Sequence, residues 1–160
     1  MLSVSDIDAL AARAHAGQYD KIGVPYIEHV RAVAAGLAPL GQHLVQAGLL
    51  HDILEDTPWT AAQLRKAGVP GTPYEDKIAR ITADPDATLV KISDNAHNSR
   101  PDRAGQLKAT QRARLSRKYQ AARDQLWPAA RREDISAIIR IVNPALLQAL
   151  DGTPAQRPRP

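Results

Sequence analysis

From Ala47 to Leu50 the chain is apolar, and it then runs straight into His51 and Asp52, with Glu55, Asp56 and Thr57 close behind. An imidazole beside a carboxylate on a buried segment has to find partners or a cation, because desolvating either group unpaired is costly. On a continuous helix His51 and Glu55 stand one turn apart on one face, and Asp52 and Asp56 stand one turn apart on the adjoining face. Glu55, Asp56 and Thr57 alone would suit the solvated acidic end of a helix leaving the core. His51 and Asp52 do not suit it, so whatever fold the chain adopts must bring complementary groups to this point.

The rest of the sequence narrows that fold to an all-α helical bundle. Hydrophobic residues make up 44% of the 160, aromatic residues only 4%, and Phe is absent, so the core is aliphatic and helix-forming with almost no strand signal. The length fits a single domain over residues 1–150, followed by a Pro/Arg-rich disordered tail over 151–160. No apolar run is long enough for a membrane span and no signal peptide opens the chain, so a cytoplasmic location without a membrane partner is the expectation. With no cysteine, disulfides, thiolate metal sites and cysteine nucleophiles are excluded, and any metal falls to His, Asp and Glu. The net charge of +4 lies mainly in the last third and favours an anionic ligand, from nucleotide phosphates to RNA.

Taken in order, Ser3 or Ser5 caps a first helix bearing Ile7, Leu10, Ala11 and Ala14, with His15 a structural residue near its end. Gln18–Pro25 is a loop exposing Lys21. A second helix over Tyr26–Leu37 carries His29 near its start, a third runs from Gly41 to Leu54 with His43 as a surface or capping residue, and Thr60 caps a short helix over Ala61–Ala67. Tyr74–Thr82 reads as helical, Asp84–Asp86 as a break, and Ala87–Asn98 as a helix ending in the polar cluster Asp94, Asn95, His97 and Asn98, stopped by Pro101. Leu107–Trp127 is a basic helix with a solvated cationic face, and Ile135–Leu150 is a final apolar helix interrupted at Pro144.

Asp94 follows an apolar run much as Asp52 does. If these two carboxylates met His29 and His51 at one point, the mixed nitrogen and oxygen set would suit Mn²⁺, Fe²⁺, Zn²⁺ or Mg²⁺, with positions left for water and a phosphate oxygen. Glu55 and Asp56 would then be placed to move the water's proton.

That ordered set resembles the HD-domain metal phosphohydrolases. More narrowly, AHAGQYDKIGVPYIEHV (Ala14–Val30), LLHDILEDT (Leu49–Thr57) and VKISDNAHN (Val90–Asn98) resemble the hydrolase domain of the Rel/SpoT stringent-response enzymes and their small stand-alone relatives. The resemblance implies an all-helical HD domain and a Mn²⁺ ion held by His29, His51, Asp52 and Asp94, acting to remove the 3′ pyrophosphate from (p)ppGpp. It also implies Glu55 and Asp56 as the water-activating pair, Lys21 on a substrate phosphate and Asn98 seating the nucleotide. The chain departs from the family at Asp20, where an Arg is usual, at Asn95 and Pro101, and over Val69–Pro73, where relatives carry roughly another helix. A metal-dependent hydrolase of nucleotide pyrophosphates is therefore the first reading. A nucleotidase or phosphatase on simpler esters is the second, and a non-catalytic nucleotide- or RNA-binding module the third, although nucleic acid is not the expected partner. The sequence leaves the oligomeric state open.

Overall fold

A computed structural model describes residues 2–69 and 84–152. Helix α1 (Val4–Ala14) is capped by Ser3, the first of the two candidates, in a capping box: the Ser3 hydroxyl accepts from the Asp6 amide and the Asp6 carboxylate from the Ser3 amide. A loop closed by a single bridge between Tyr19 and Pro25 leads into α2 (Tyr26–Gly36). Next come α3 (Gln42–Leu50), the one-turn α4 (Ile53–Asp56) and α5 (Ala61–Lys66), the last with a second capping box formed by Thr60 and Gln63. Beyond the undescribed stretch are α6 (Pro85–Asn98), the short α7 (Pro101–Gly105), the long α8 (Ala109–Leu126), α9 (Arg132–Val142) and α10 (Leu147–Asp151). No strand occurs among the described residues, in keeping with the all-α expectation.

Helix α2 is the axis of the packing. Its Val33, with Leu37 just after its end, joins Leu44, Val90, Ile92, Ile135, Ile138 and Ile139 in one apolar cluster, while its Val30 and Ala34 join Ile7, Leu10, Leu49 and Ile53 in a second. Two small residues set its distance from its neighbours. A Cβ at Gly48 on α3 would stand 2.9 Å from the Ala34 Cα, and one at Gly36 would collide with Val142 and Ser93. Buried polar groups close the remaining gaps: Ser93 Oγ donates to the Val33 carbonyl at 2.8 Å, and Asn143 Nδ2 donates to the Ala96 carbonyl at 2.9 Å.

The third helix is shorter than its pattern suggests. Instead of running to Leu54 it stops at Leu50, turns through His51 and Asp52, and resumes as α4. His51 Nδ1 bonds the Gly48 carbonyl at 2.7 Å, a side-chain bond that competes with the regular backbone ladder, and Asp52 relaxes to φ −105°, ψ −1°. The end of the core helix is thereby turned so that the two side chains face each other. Asp84–Asp86 proves to be a helix start, not a break: Asp84 Oδ1 accepts from the amides of Asp86 and Ala87, and Pro85 takes the first helical position, where its missing N–H costs nothing. Pro101 likewise opens α7 after Ser99 has closed α6. The expected crossing over Val69–Pro73 beyond Val69, the helix over Tyr74–Thr82 and the tail beyond Gly152 lie outside the described residues.

Because the Gly48 Cβ would meet backbone, the neighbour has little room to give. Gly48→Ala is expected to destabilise the chain by about 2 kcal/mol through overpacking, read as a lowered midpoint in urea with an unchanged slope.

Candidate metal centre and substrate cavity

Two helices and the turn after α3 deliver three of the four sequence-predicted ligands to one point. His29 comes from α2, His51 from the turn after α3, and Asp94 from α6, and one ligand atom of each lies within 4.8 Å of the others. His29 Nε2 stands 3.4 Å from Asp94 Oδ1 and 3.5 Å from Asp52 Oδ2, and His51 Nε2 stands 2.8 Å from Asp52 Oδ2. His51 is fully buried and His29 and Asp52 nearly so.

Both imidazoles are held by the nitrogen that points away from this cluster. His51 Nδ1 donates to the Gly48 carbonyl, which leaves Nε2 as the edge facing Asp52. A neutral Nε2 and a carboxylate oxygen are both acceptors, so at 2.8 Å the pair needs a proton or a cation between them. Burial opposes a charge on His51, yet Asp52 and Asp94 outweigh it and raise its pKa. Burial also works against the Asp52 anion, but hydrogen bonding from His29, His51 and Tyr26 prevails and holds it ionised. This is a donor set that fits a divalent cation, with the proton on His51 standing in when the ion is absent.

Behind His29 stands His97, with the two Nδ1 atoms 2.7 Å apart. Burial first, and the charges of His29, Arg103 and Arg100 after it, push the His97 pKa down to about 3. His97 is therefore a neutral acceptor, and His29 donates its Nδ1 proton to it and turns Nε2 toward the carboxylates. The Tyr26 hydroxyl lies 2.7 Å from Asp52 Oδ2 and 2.9 Å from Asp56 Oδ2, so its one proton bridges the buried and the exposed carboxylate. Burial and the Asp52 charge raise the Tyr26 pKa and keep that proton in place.

His29 and Asp94 of the cluster open onto a cavity of about 780 Å³, lined also by Lys21, Asp56, Lys91, Asn98, Arg103 and Tyr119, while His51 and Asp52 are not among the lining residues. Of the proposed substrate and proton-handling residues, Lys21, Asn98 and Asp56 line it, with Asn98 Nδ2 donating to Asp94 Oδ1. Glu55 is exposed and is not among the lining residues, though its charge helps raise the pKa of Lys91. The unexpected Asp20 is tied down: Oδ1 accepts from the amides of Ile22 and Val24, and Oδ2 accepts from Arg103 Nη1 at 2.8 Å. A guanidinium thus reaches this wall from α7, across 83 residues of sequence. His15 stacks on Tyr26 and bonds Gln18, and His43 is exposed, both as expected of residues outside the site.

Tyr26, Lys91 and Arg103 are not singled out by the sequence, and His97 stands out there only as part of the polar cluster, without a role. Tyr26 precedes His29 by three residues and His97 follows Asp94 by three, so helical spacing put each on its ligand's face. Arg103 carried no comparable local signal.

Residues 9–124 match the family described as HD domain. The chain belongs to the HD-domain family. Among curated proteins it is similar to a guanosine-3′,5′-bis(diphosphate) 3′-pyrophosphohydrolase of Haemophilus influenzae, 34% identical over 134 aligned positions that take in 68% of this chain and 20% of that one. It is 32% identical to the bifunctional (p)ppGpp synthase/hydrolase SpoT of Escherichia coli, over 68% of this chain and 19% of the relative. It is 34% identical to a GTP pyrophosphokinase of Streptomyces coelicolor, over 57% and 14% respectively. The HD-domain chain therefore spans about a fifth or less of the length of these relatives. No helix among the described residues is long and apolar enough to cross a membrane.

The His97 geometry has a consequence for stability. An unfolded histidine binds a proton near pH 6.5, whereas folded His97 resists it down to about pH 3. Between those values the unfolded chain carries the extra proton, so this residue makes stability fall as pH falls, by up to about 1.4 kcal/mol per unit. His97→Gln, which keeps an acceptor for His29, is expected to lose stability less steeply than the wild type between pH 7 and pH 5 in urea unfolding with EDTA present.

Proposed function

We propose that this HD domain is a metal-dependent phosphohydrolase that removes the 3′ pyrophosphate of (p)ppGpp, with Mn²⁺ as its ion and a cytoplasmic nucleotide pool as its substrate source. The observation that carries this reading is the convergence of two imidazole edges and two carboxylates, of which His29 and Asp94 line a cation-rimmed cavity, in a chain similar to proteins named for (p)ppGpp hydrolysis. His29, His51, Asp52 and Asp94 are the proposed ligands. A divalent ion held there supplies charge to a phosphoryl group and makes water a better nucleophile near neutral pH.

The chain's own residues do the rest. Asp56 takes the proton of the attacking water, with Glu55 one residue before it as the second member of the pair, and Tyr26 holds the Asp56 carboxylate beside Asp52. Lys91, 3.4 Å from Asp94 and largely buried, offsets the negative charge that gathers as a pyrophosphate enters. Lys21 and Asn98 contact the substrate at the cavity wall. Arg103, aligned by Asp20, returns to that wall a planar cation of the kind the loop itself lacks, which favours a nucleotide over a simple phosphate ester. Water adds to the 3′ pyrophosphate, the bond to the 3′ oxygen is broken, and ppGpp gives GDP and pyrophosphate.

Product analysis after incubation with ppGpp and Mn²⁺ tests this directly, beside GDP, deoxynucleoside monophosphates and NADPH as competing substrates. GDP and pyrophosphate are expected from ppGpp, abolished by EDTA. Asp94→Ala is expected to lose metal and turnover together, and Asp56→Asn to keep metal while kcat falls by about 10²-fold or more. Turnover of the monophosphates with ppGpp untouched would move the assignment to the simpler nucleotidase reading, and turnover at the wild-type rate in Asp56→Asn would remove that residue from proton transfer.

A further inference from the structure

On the far side of Asn98 and Tyr119 from the substrate cavity lies a second one, of about 350 Å³, between α6, α7 and α8. One stripe of α8 forms its wall: Arg112, Ser116, Tyr119 and Arg123 recur at helical spacing, with Leu115 and Leu146 supplying apolar surface. Arg123 stands apart from the other basic residues of this helix. Arg112, Arg114, Arg117 and Lys118 are exposed, whereas Arg123 is 8% exposed.

The partners of Arg123 are neutral. Nη1 donates to Asn95 Oδ1 at 3.3 Å and Nη2 to Gln120 Oε1 at 2.7 Å, and the buried Nε has no hydrogen-bond partner. No carboxylate forms an ion pair with it among the described residues; the charge of exposed Asp124 is the one that reaches it. Burial lowers its pKa, as it must for a cation without a counter-ion. A buried guanidinium without a counter-ion is costly to retain, and one that lines a cavity is a ready receptor for an anion. The cavity is larger than one ion needs and falls in the size range of small-molecule pockets.

We propose that this second cavity binds a small phosphorylated ligand, whose phosphoryl group sits between Arg123 and Arg112 with Ser116 beside it and whose body rests on Leu115 and Leu146. The site is separate from the metal centre and does not depend on the activity assigned to it. Asn95 joins the two, since it accepts from Arg123 and immediately follows Asp94. A ligand that draws Arg123 away would remove that bond from Asn95, at the edge of the substrate cavity, and leave its Nδ2 donation to the Tyr119 carbonyl.

Inorganic phosphate titrated by calorimetry into the full chain in EDTA is the test. Binding is expected that survives Lys21→Ala and His51→Ala, which alter the substrate cavity, and that weakens about fivefold in Arg112→Ala, the upper range for an exposed cation. Arg123→Gln is expected to weaken it at least tenfold, with circular dichroism checking its fold; exposed Arg112 carries the test if that variant unfolds. Absence of phosphate binding, or binding lost in Lys21→Ala and unchanged in Arg112→Ala, would overturn the proposal.

Discussion

His51 and Asp52 meet at 2.8 Å in a part of the core where neither could be left alone, and much of the site is arranged around that contact. The His51 Nδ1 bond to the Gly48 carbonyl fixes which edge of the ring faces the carboxylate. It also ends α3, and the resulting turn is what directs Asp52 toward His29. One hydrogen bond therefore serves both the course of the backbone and the chemistry, so the site is set by the scaffold and not by a mobile loop. His97 does for His29 what the Gly48 carbonyl does for His51, holding the outer nitrogen so that the inner one is presented.

Charge follows depth in this molecule. In the buried cluster two carboxylates and two imidazoles balance one another, with Tyr26 bridging outward to Asp56. Around them Lys91, Lys21 and Arg103 form a cationic wall that would draw in a polyanion and then lose part of its charge to it. The Asp20–Arg103 pair offsets part of that charge while it fixes the guanidinium at the wall and ties the loop before α2 to α7. In α8 most basic side chains are solvated, and the exception, Arg123, marks the second cavity.

The helices, their caps and the four residues of the cluster were legible because each depends on local chemistry. Ser3, one of two candidate caps, and Thr60 cap their helices, and His51, Asp52 and Asp94 stand out as polar groups directly after apolar runs, with His29 a candidate only in their company. The kink at His51 was not legible, since residues 41–54 keep helical periodicity and only the side-chain bond to Gly48 interrupts it. Asp84–Asp86 was misread because a capping Asp before a Pro looks the same in sequence whether it ends one helix or starts the next. The Asp20–Arg103 pair joins residues far apart in the chain, and no pattern within either segment pointed to the other.

The claim on which this account rests is that the buried cluster takes one divalent cation in exchange for the proton on His51. Calorimetric titration of Mn²⁺ in buffers of differing ionisation enthalpy measures both the stoichiometry and the protons released. One ion per chain is predicted, with proton release and with affinity falling as pH drops through the raised His51 pKa; His51→Ala should abolish it. Tight binding that persists in His51→Ala, or binding with no proton released at a pH where His51 is protonated, would contradict the account.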